Sequence, residues 1–194
     1  MPNSGTIRTG NPEPMRPLNP RRLDRAGLWE YALKALAARA HSSGELRVKL
    51  DRRAAKPSDV DGVLAQLKEY GYLNDERFAE GFAAARLDQK LGRTRVVRDL
   101  RRRRVAPATA ERTVESVYRG ADELAMIEAW VRRKYRLAPR DGFFSQDKDL
   151  ASAYRRLLHA GFRSGDIIKV LKRFAKNPEL LDSFEPPETP VEDE

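Results

Sequence analysis

SSGELRVKLDRRAAKPSDVDGVLAQLKEYGYLN, residues 42–74, sets Leu46 and Leu50 one helical turn apart and then Val60, Val63, Leu64 and Leu67 along a second stripe. Apolar residues at this spacing predict two amphipathic helices. Ser42, with Glu45 three residues later, is a capping-box pattern that opens the first of them. Pro57-Ser58 opens the second, and Asp59 and Asp61 in its first turn suit the positive end of the helix dipole. Gly71 is expected to end that helix in the left-handed conformation, with Tyr72 and Leu73 folding back as apolar caps. Asn74 then caps a further helix whose first turn carries Asp75 and Glu76.

The same pattern recurs outward along the chain. Fifty residues on, Val96 and Leu100 are followed by Ala110, Thr113, Val114 and Val117. A further 54 residues on, Leu150 and Tyr154 are followed by Ser164, Ile167, Ile168 and Leu171. Each pair of helices is preceded by another, at residues 28–40, 75–89 and 122–137. Gly92, Gly120 and Gly161 are expected to punctuate later helices as Gly71 does. Strand signals are lacking, so the expected fold class is all-α: three tandem three-helix repeats at residues 25–73, 74–120 and 121–177. One such unit is a marginal core, and stacking neighbours would form an elongated, slightly curved array. Residues 1–24, with Pro2, Pro12, Pro14, Pro17 and Pro20, read as a flexible extension, and residues 178–194 as a flexible acidic tail.

The formal charge is +9, yet residues 178–194 hold seven acids and no cation, so the folded middle is more basic than the total implies. That is the electrostatic footprint of a protein with a polyanionic partner. No stretch approaches the ~20 apolar residues of a membrane span, and no apolar run suggests a signal peptide. The lack of cysteine removes disulfides and thiolate metal sites, and a cytoplasmic location is expected. Catalysis finds no constellation. The two histidines, His41 and His159, have no zinc-ligand spacing, and Asp59/Asp61 and Asp147/Asp149 are pairs two apart that share no helix face. No Walker-type phosphate loop occurs. A binding protein is expected, with no enzyme activity, no cofactor and no metal.

Residues 93–104 carry seven arginines and one acid. On a helix, Val96, Val97 and Leu100 form one stripe, and Arg95, Arg98 and Arg102 lie opposite, with Arg101 beside them. A row of guanidinium forks can grip a DNA backbone or an acidic protein groove. It can also be a solvated face, with Arg95–Asp99 as an i,i+4 pair. Smaller sets recur on the matching helices of the outer units, Lys49, Arg52 and Arg53, then Arg155 and Arg156. All nine cations are candidate partner contacts. Arg103 and Arg104 sit nearer the buried side, and Trp29 and Trp130 are expected in cores or between units.

GYLNDERFA at residues 71–79, after DVDGVLAQLKEY, is the most distinctive motif. Each of its residues has a structural role as cap, fold-back or core. Together with LAARAHSSGELRVKL at 36–50 and ARLDQKLGRTRVVRDLRRRRV at 85–105, it resembles the bacterial RecX family, regulators of the RecA recombinase. The resemblance runs from about Leu28 to Phe174; the third unit is only generically similar. It implies a modulator that docks in the helical groove of the RecA filament on single-stranded DNA and restrains RecA; the array itself has no need of a partner subunit, so a monomer is expected. Two other readings of the residues stand beside it: a helix-turn-helix-like binder of duplex DNA, and a scaffold whose arginines meet acidic protein partners.

Overall fold

Three separate apolar clusters organise the chain, one for each group of three helices. The first is built on Leu28, Leu46, Leu50, Val60, Val63 and Leu67. The second gathers Val96, Leu100, Val105, Val114 and Tyr118. In the third, Ile127, Leu157, Phe162, Ile167 and Leu171 come together. The computed structural model describes residues 22–136, 144, 147–176 and 178–183. Unit 1 comprises α1 (Arg25–Ala38), α2 (Ser43–Asp51) and α3 (Ser58–Glu69); unit 2 comprises α4 (Asp75–Asp88), α5 (Arg93–Arg102) and α6 (Pro107–Tyr118). Unit 3 comprises α7 (Glu123–Tyr135), α8 (Asp147–Ala160) and α9 (Ser164–Leu171). The described residues form no extended strand; Leu23 and Ala54 make one isolated bridge. The fold is an all-α tandem array.

Side-chain caps open four of the nine described α-helices. Asp24, Ser42, Asn74 and Asp122 each accept a backbone N–H three residues ahead, at 2.9–3.0 Å. Such a cap contributes about 1 kcal/mol. Only half of the expected capping box forms, because the Glu45 carboxylate reaches Arg39 and Arg103 instead of the backbone of Ser42. Gly71 is left-handed (φ 71) as expected, and Leu73 folds back into the core. Tyr72 does not: it is 54% exposed, and it meets Trp29 and Tyr70 edge to face at 6.4 Å.

Among the described glycines only Gly71 and Gly161 have positive φ, so Gly92 and Gly120 do not close helices in that way. Lys90 and Arg104 take the left-handed position at the ends of α4 and α5, both at φ 60. The third repeat also sits in a different register from the one the periodicity suggests. Left-handed Arg104 and Gly161 are equivalent: Val105 N–H donates to Leu100 O at 3.1 Å, and Phe162 N–H to Leu157 O at 3.2 Å. The spacing between units 2 and 3 is therefore 57 residues, which pairs Leu100 with Leu157, Ala110 with Ile167 and Val114 with Leu171, all buried. A spacing of 54 would put half-exposed Ser164 and Ile168 at core positions.

The ends differ from expectation as well. Leu23 N–H donates to Arg53 O at 2.7 Å and Ala55 N–H to Leu23 O at 2.8 Å, so Arg22–Asp24 belong to unit 1, not to the extension. Pro178–Ser183 form a 3-10 turn, and Leu181 is buried in the third core, so the acidic tail starts later than residue 178. The expected flexibility of residues 1–21 and 184–194, and the expected helix end at residue 137, lie outside the described residues.

The two joints between units repeat one design. At the first, Ser42 Oγ donates to Arg103 O, and Ser43 N–H donates to Asp75 Oδ1 at 2.7 Å. At the second, Gly92 N–H donates to Ala160 O at 2.9 Å and Thr94 N–H to Gly161 O at 3.1 Å; Arg93 N–H donates to Glu123 Oε1 at 3.2 Å. In both, the start of a unit's second helix docks on the end of the next unit's second helix and on the first acid of its first helix. Close approach explains the glycines. A Cβ on Gly92 would strike the Gly161 backbone, one on Gly161 would strike Arg95, and one on Gly44 would strike Arg104.

Candidate nucleic-acid interface

Because of the joints, α8, α5 and α2 follow one another head to tail. Donors in the first turn of α5 meet the last carbonyls of α8, and the start of α2 meets the last carbonyls of α5. The three basic second helices thus form one continuous row, and each expected site residue can be placed on it.

On α5, Val96 and Leu100 are fully buried, and Arg98 and Arg102 point to solvent on the other side. Arg98 has no ion-pair or hydrogen-bond partner among the described residues, and Arg102, with its side chain 74% exposed, only approaches Asp99 at 4.0 Å. Arg95 is half-exposed and belongs to the second joint: it donates to His159 O at 3.3 Å and pairs with Asp99 at 3.7 Å, the expected i,i+4 contact. Arg101 is paired with Glu111 of α6. In unit 1, Arg52 is exposed, Arg53 lies 4.4 Å over the Tyr31 ring, and half-buried Lys49 approaches His41 Nε2 at 3.5 Å. In unit 3, Arg155 and Arg156 are exposed on α8. The row therefore offers Arg52, Arg98, Arg102, Arg155 and Arg156 as available cations, whereas Lys49, Arg53, Arg95 and Arg101 are held by internal contacts.

A second gathering of cations was not anticipated from the sequence. A groove at the first joint is lined by Arg39, Arg86, Arg102 and Arg103, with Glu45, Asp99 and Phe82. Arg39 and Arg103 each take one oxygen of Glu45, at 3.1 and 3.2 Å. Phe82 sits between Arg86 at 4.7 Å and Arg103 at 5.0 Å from its centroid, and cation–π attraction holds both guanidinium groups in place. Arg39 follows α1, Arg86 sits late in α4, and the other two close α5. No local pattern announces that they meet. The charge density of residues 93–104 was the one available hint, and it named only half of the set.

Burial shapes the electrostatics beside this groove. His41 is 3% exposed, and burial, then Arg39 and Lys49, hold its pKa below the usual 6.5 against the opposing pull of Glu45. Glu45 is pushed up by burial, but hydrogen bonding and charge from Arg39, with Arg103 and His41, more than reverse this and leave it below the ordinary carboxylate value. Both therefore keep their neutral-pH forms, a neutral imidazole and a carboxylate. Among the described residues, no three His, Cys, Asp or Glu side chains stand close enough to hold a metal, and no helix is long and apolar enough to cross a membrane.

Residues 74–114 match the family model described as RecX, second three-helix domain. The chain is 34% identical over 166 residues to Regulatory protein RecX of Deinococcus radiodurans, covering 85% of this chain and 76% of the relative. Its counterpart in Salmonella arizonae is 31% identical over 174 residues, 84% of this chain and 98% of the relative. The crystal structure of RecX from Lactobacillus salivarius superposes with a TM-score of 0.65 at 15% identity, over 77% of this chain and 96% of that one. A second crystal structure, of regulatory protein RecX, gives 0.62 at 14% identity, over 77% and 71%.

Proposed function

Because the chain belongs to the RecX family of regulatory proteins, we propose that it regulates homologous recombination and DNA repair, binding the RecA filament on single-stranded DNA and inhibiting RecA, without chemistry of its own. The observation that carries this most directly is the head-to-tail row of second helices with Arg52, Arg98, Arg102, Arg155 and Arg156 exposed along it. Cations spread over three units joined by hydrogen bonds match a partner whose negative charge repeats along an axis, as nucleic-acid phosphates do. We take the protein to act as a cytoplasmic monomer.

Reading of duplex DNA by α5 is less well supported. In helix-turn-helix proteins the N-terminal residues of the recognition helix face the base edges. Here the N-terminus of α5 is covered by Ala160 and Gly161. The test is RecA ATP hydrolysis on single-stranded DNA, titrated with substoichiometric protein. Wild type should suppress it well below one copy per recombinase, and extra naked DNA should not restore it. Arg98→Glu with Arg102→Glu should raise the amount needed about tenfold or more, with helicity unchanged. Equal inhibition by the double variant would remove this face from the proposal.

A further inference from the structure

We propose that the groove at the first joint is a clasp for one backbone phosphate of a single-stranded nucleic acid, assembled only where units 1 and 2 meet. This rests on the reading above for the identity of the strand, but not for the existence of the site. The four cations approach from three sides: Arg39 from the end of α1, Arg86 from α4, and Arg102 and Arg103 from the end of α5. Two carboxylates face them, so the groove carries surplus positive charge.

That surplus is located. Glu45 occupies Arg39 and Arg103, whereas the polar partner of Arg86 is the neutral Gln89 Oε1, at 2.7 Å. Arg102 has only the distant Asp99. Phe82 lies against both the Arg86 and the Arg103 guanidinium groups, and each of these has five N–H donors, of which Gln89 and Glu45 respectively engage one. Donors converging from several directions fit the tetrahedral oxygens of a phosphodiester. A planar carboxylate is better served by a single fork. Glu45 is the resident competitor, bound where an incoming phosphate would draw Arg39 and Arg103.

Two opposite changes test this in the full-length protein. Anisotropy of a labelled oligothymidylate, without RecA and across a salt series, is the readout. Arg39→Gln with Arg86→Gln should weaken binding about tenfold at low salt and reduce the log–log salt slope by about 0.7, the share of one single-strand phosphate. Glu45→Gln should strengthen binding a few-fold by removing the competitor while keeping an acceptor for Arg103, and Asp99→Asn should act in the same direction. A misfolded variant cannot produce gains of this kind. Unchanged affinity and slope in the arginine pair, or weaker binding in both Glu45→Gln and Asp99→Asn, would overturn the clasp. So would equal competition by oligoglutamate and oligonucleotide at matched charge, which would mark a carboxylate-binding groove on a protein partner. RecA inhibition is scored separately. Wild-type protein that binds oligothymidylate through this groove yet leaves RecA untouched retains the clasp and defeats the filament proposal. Loss of inhibition in the arginine pair with normal oligonucleotide binding does the reverse.

Discussion

The two joints place equivalent helices in equivalent positions with different chemistry. At the first, a side-chain hydroxyl, Ser42 Oγ, reaches the Arg103 carbonyl, and the left-handed residue is Arg104. Arg103 also crosses to Glu45. At the second, backbone meets backbone, and the left-handed residue is Gly161. There Arg93 is locked between Glu115 and the buried Glu123. The first joint opens on a groove with charged walls, whereas the groove beside the second, lined by Lys90, Ala125, Met126, Ala129, Trp130 and Arg133, is largely apolar. One geometry thus serves two ends, a backbone-bonded and ion-paired attachment of unit 3 and a polar cleft beside unit 1.

The harshest way to break the comparison is Gly161→Ala. The new methyl meets the backbone and Cβ of Arg95 at a left-handed φ of 92, so neither space nor conformation is available. A loss of about 3 kcal/mol is expected, read by thermal melting. Hydrogen exchange should show protection falling first in units 2 and 3. A milder probe is Ser42→Ala, which removes both the α2 cap and the bond across the first joint. It should cost about 1–2 kcal/mol, with unit 3 unaffected. Equal loss of protection across all three units would show that the joints do not behave separately.

The smallest effect sharpens the contrast through pH. His41 is buried beside the first joint, with a pKa below its usual 6.5. As pH falls below about 6.5, the unfolded chain takes up a proton that the folded chain still refuses. Stability therefore declines until the lower folded-state pKa is passed, and then levels off. The melting temperature should drop modestly from neutral to mildly acid pH, with unit 1 loosening first, and His41→Gln should flatten this dependence. A decline that persists undiminished in His41→Gln would assign it elsewhere.

Much of this was legible in the sequence, and the failures have physical causes. The stripes of Leu46/Leu50 and Val96/Leu100 and the caps at Ser42 and Asn74 are local, and local patterns survive folding. Periodicity alone does not fix the register of the third repeat, because residues three apart on a helix lie on nearly the same stripe. A slip of three keeps most apolar positions apolar, and the handed closure at Gly161 is what resolves it. Gly92 looks like punctuation in a sequence, but its role is to have no side chain where another backbone passes. Arg98 and Arg102 could be named from a helical wheel. Arg39 and Arg86 could not, because their meeting is a property of the joint.

Leu23 has a consequence beyond anchoring the chain. Its N–H bonds to Arg53 O, at the same point of unit 1 where Arg103 O of unit 2 accepts Ser42. Arg22 covers the neighbouring carbonyl of Ala54 at 3.0 Å. The acceptor equivalent to the one used at the first joint is filled in unit 1 by the segment leading into α1. In the language of addition polymers, that coupling site is capped: the residues leading into α1 hold the acceptor through which the other units are joined.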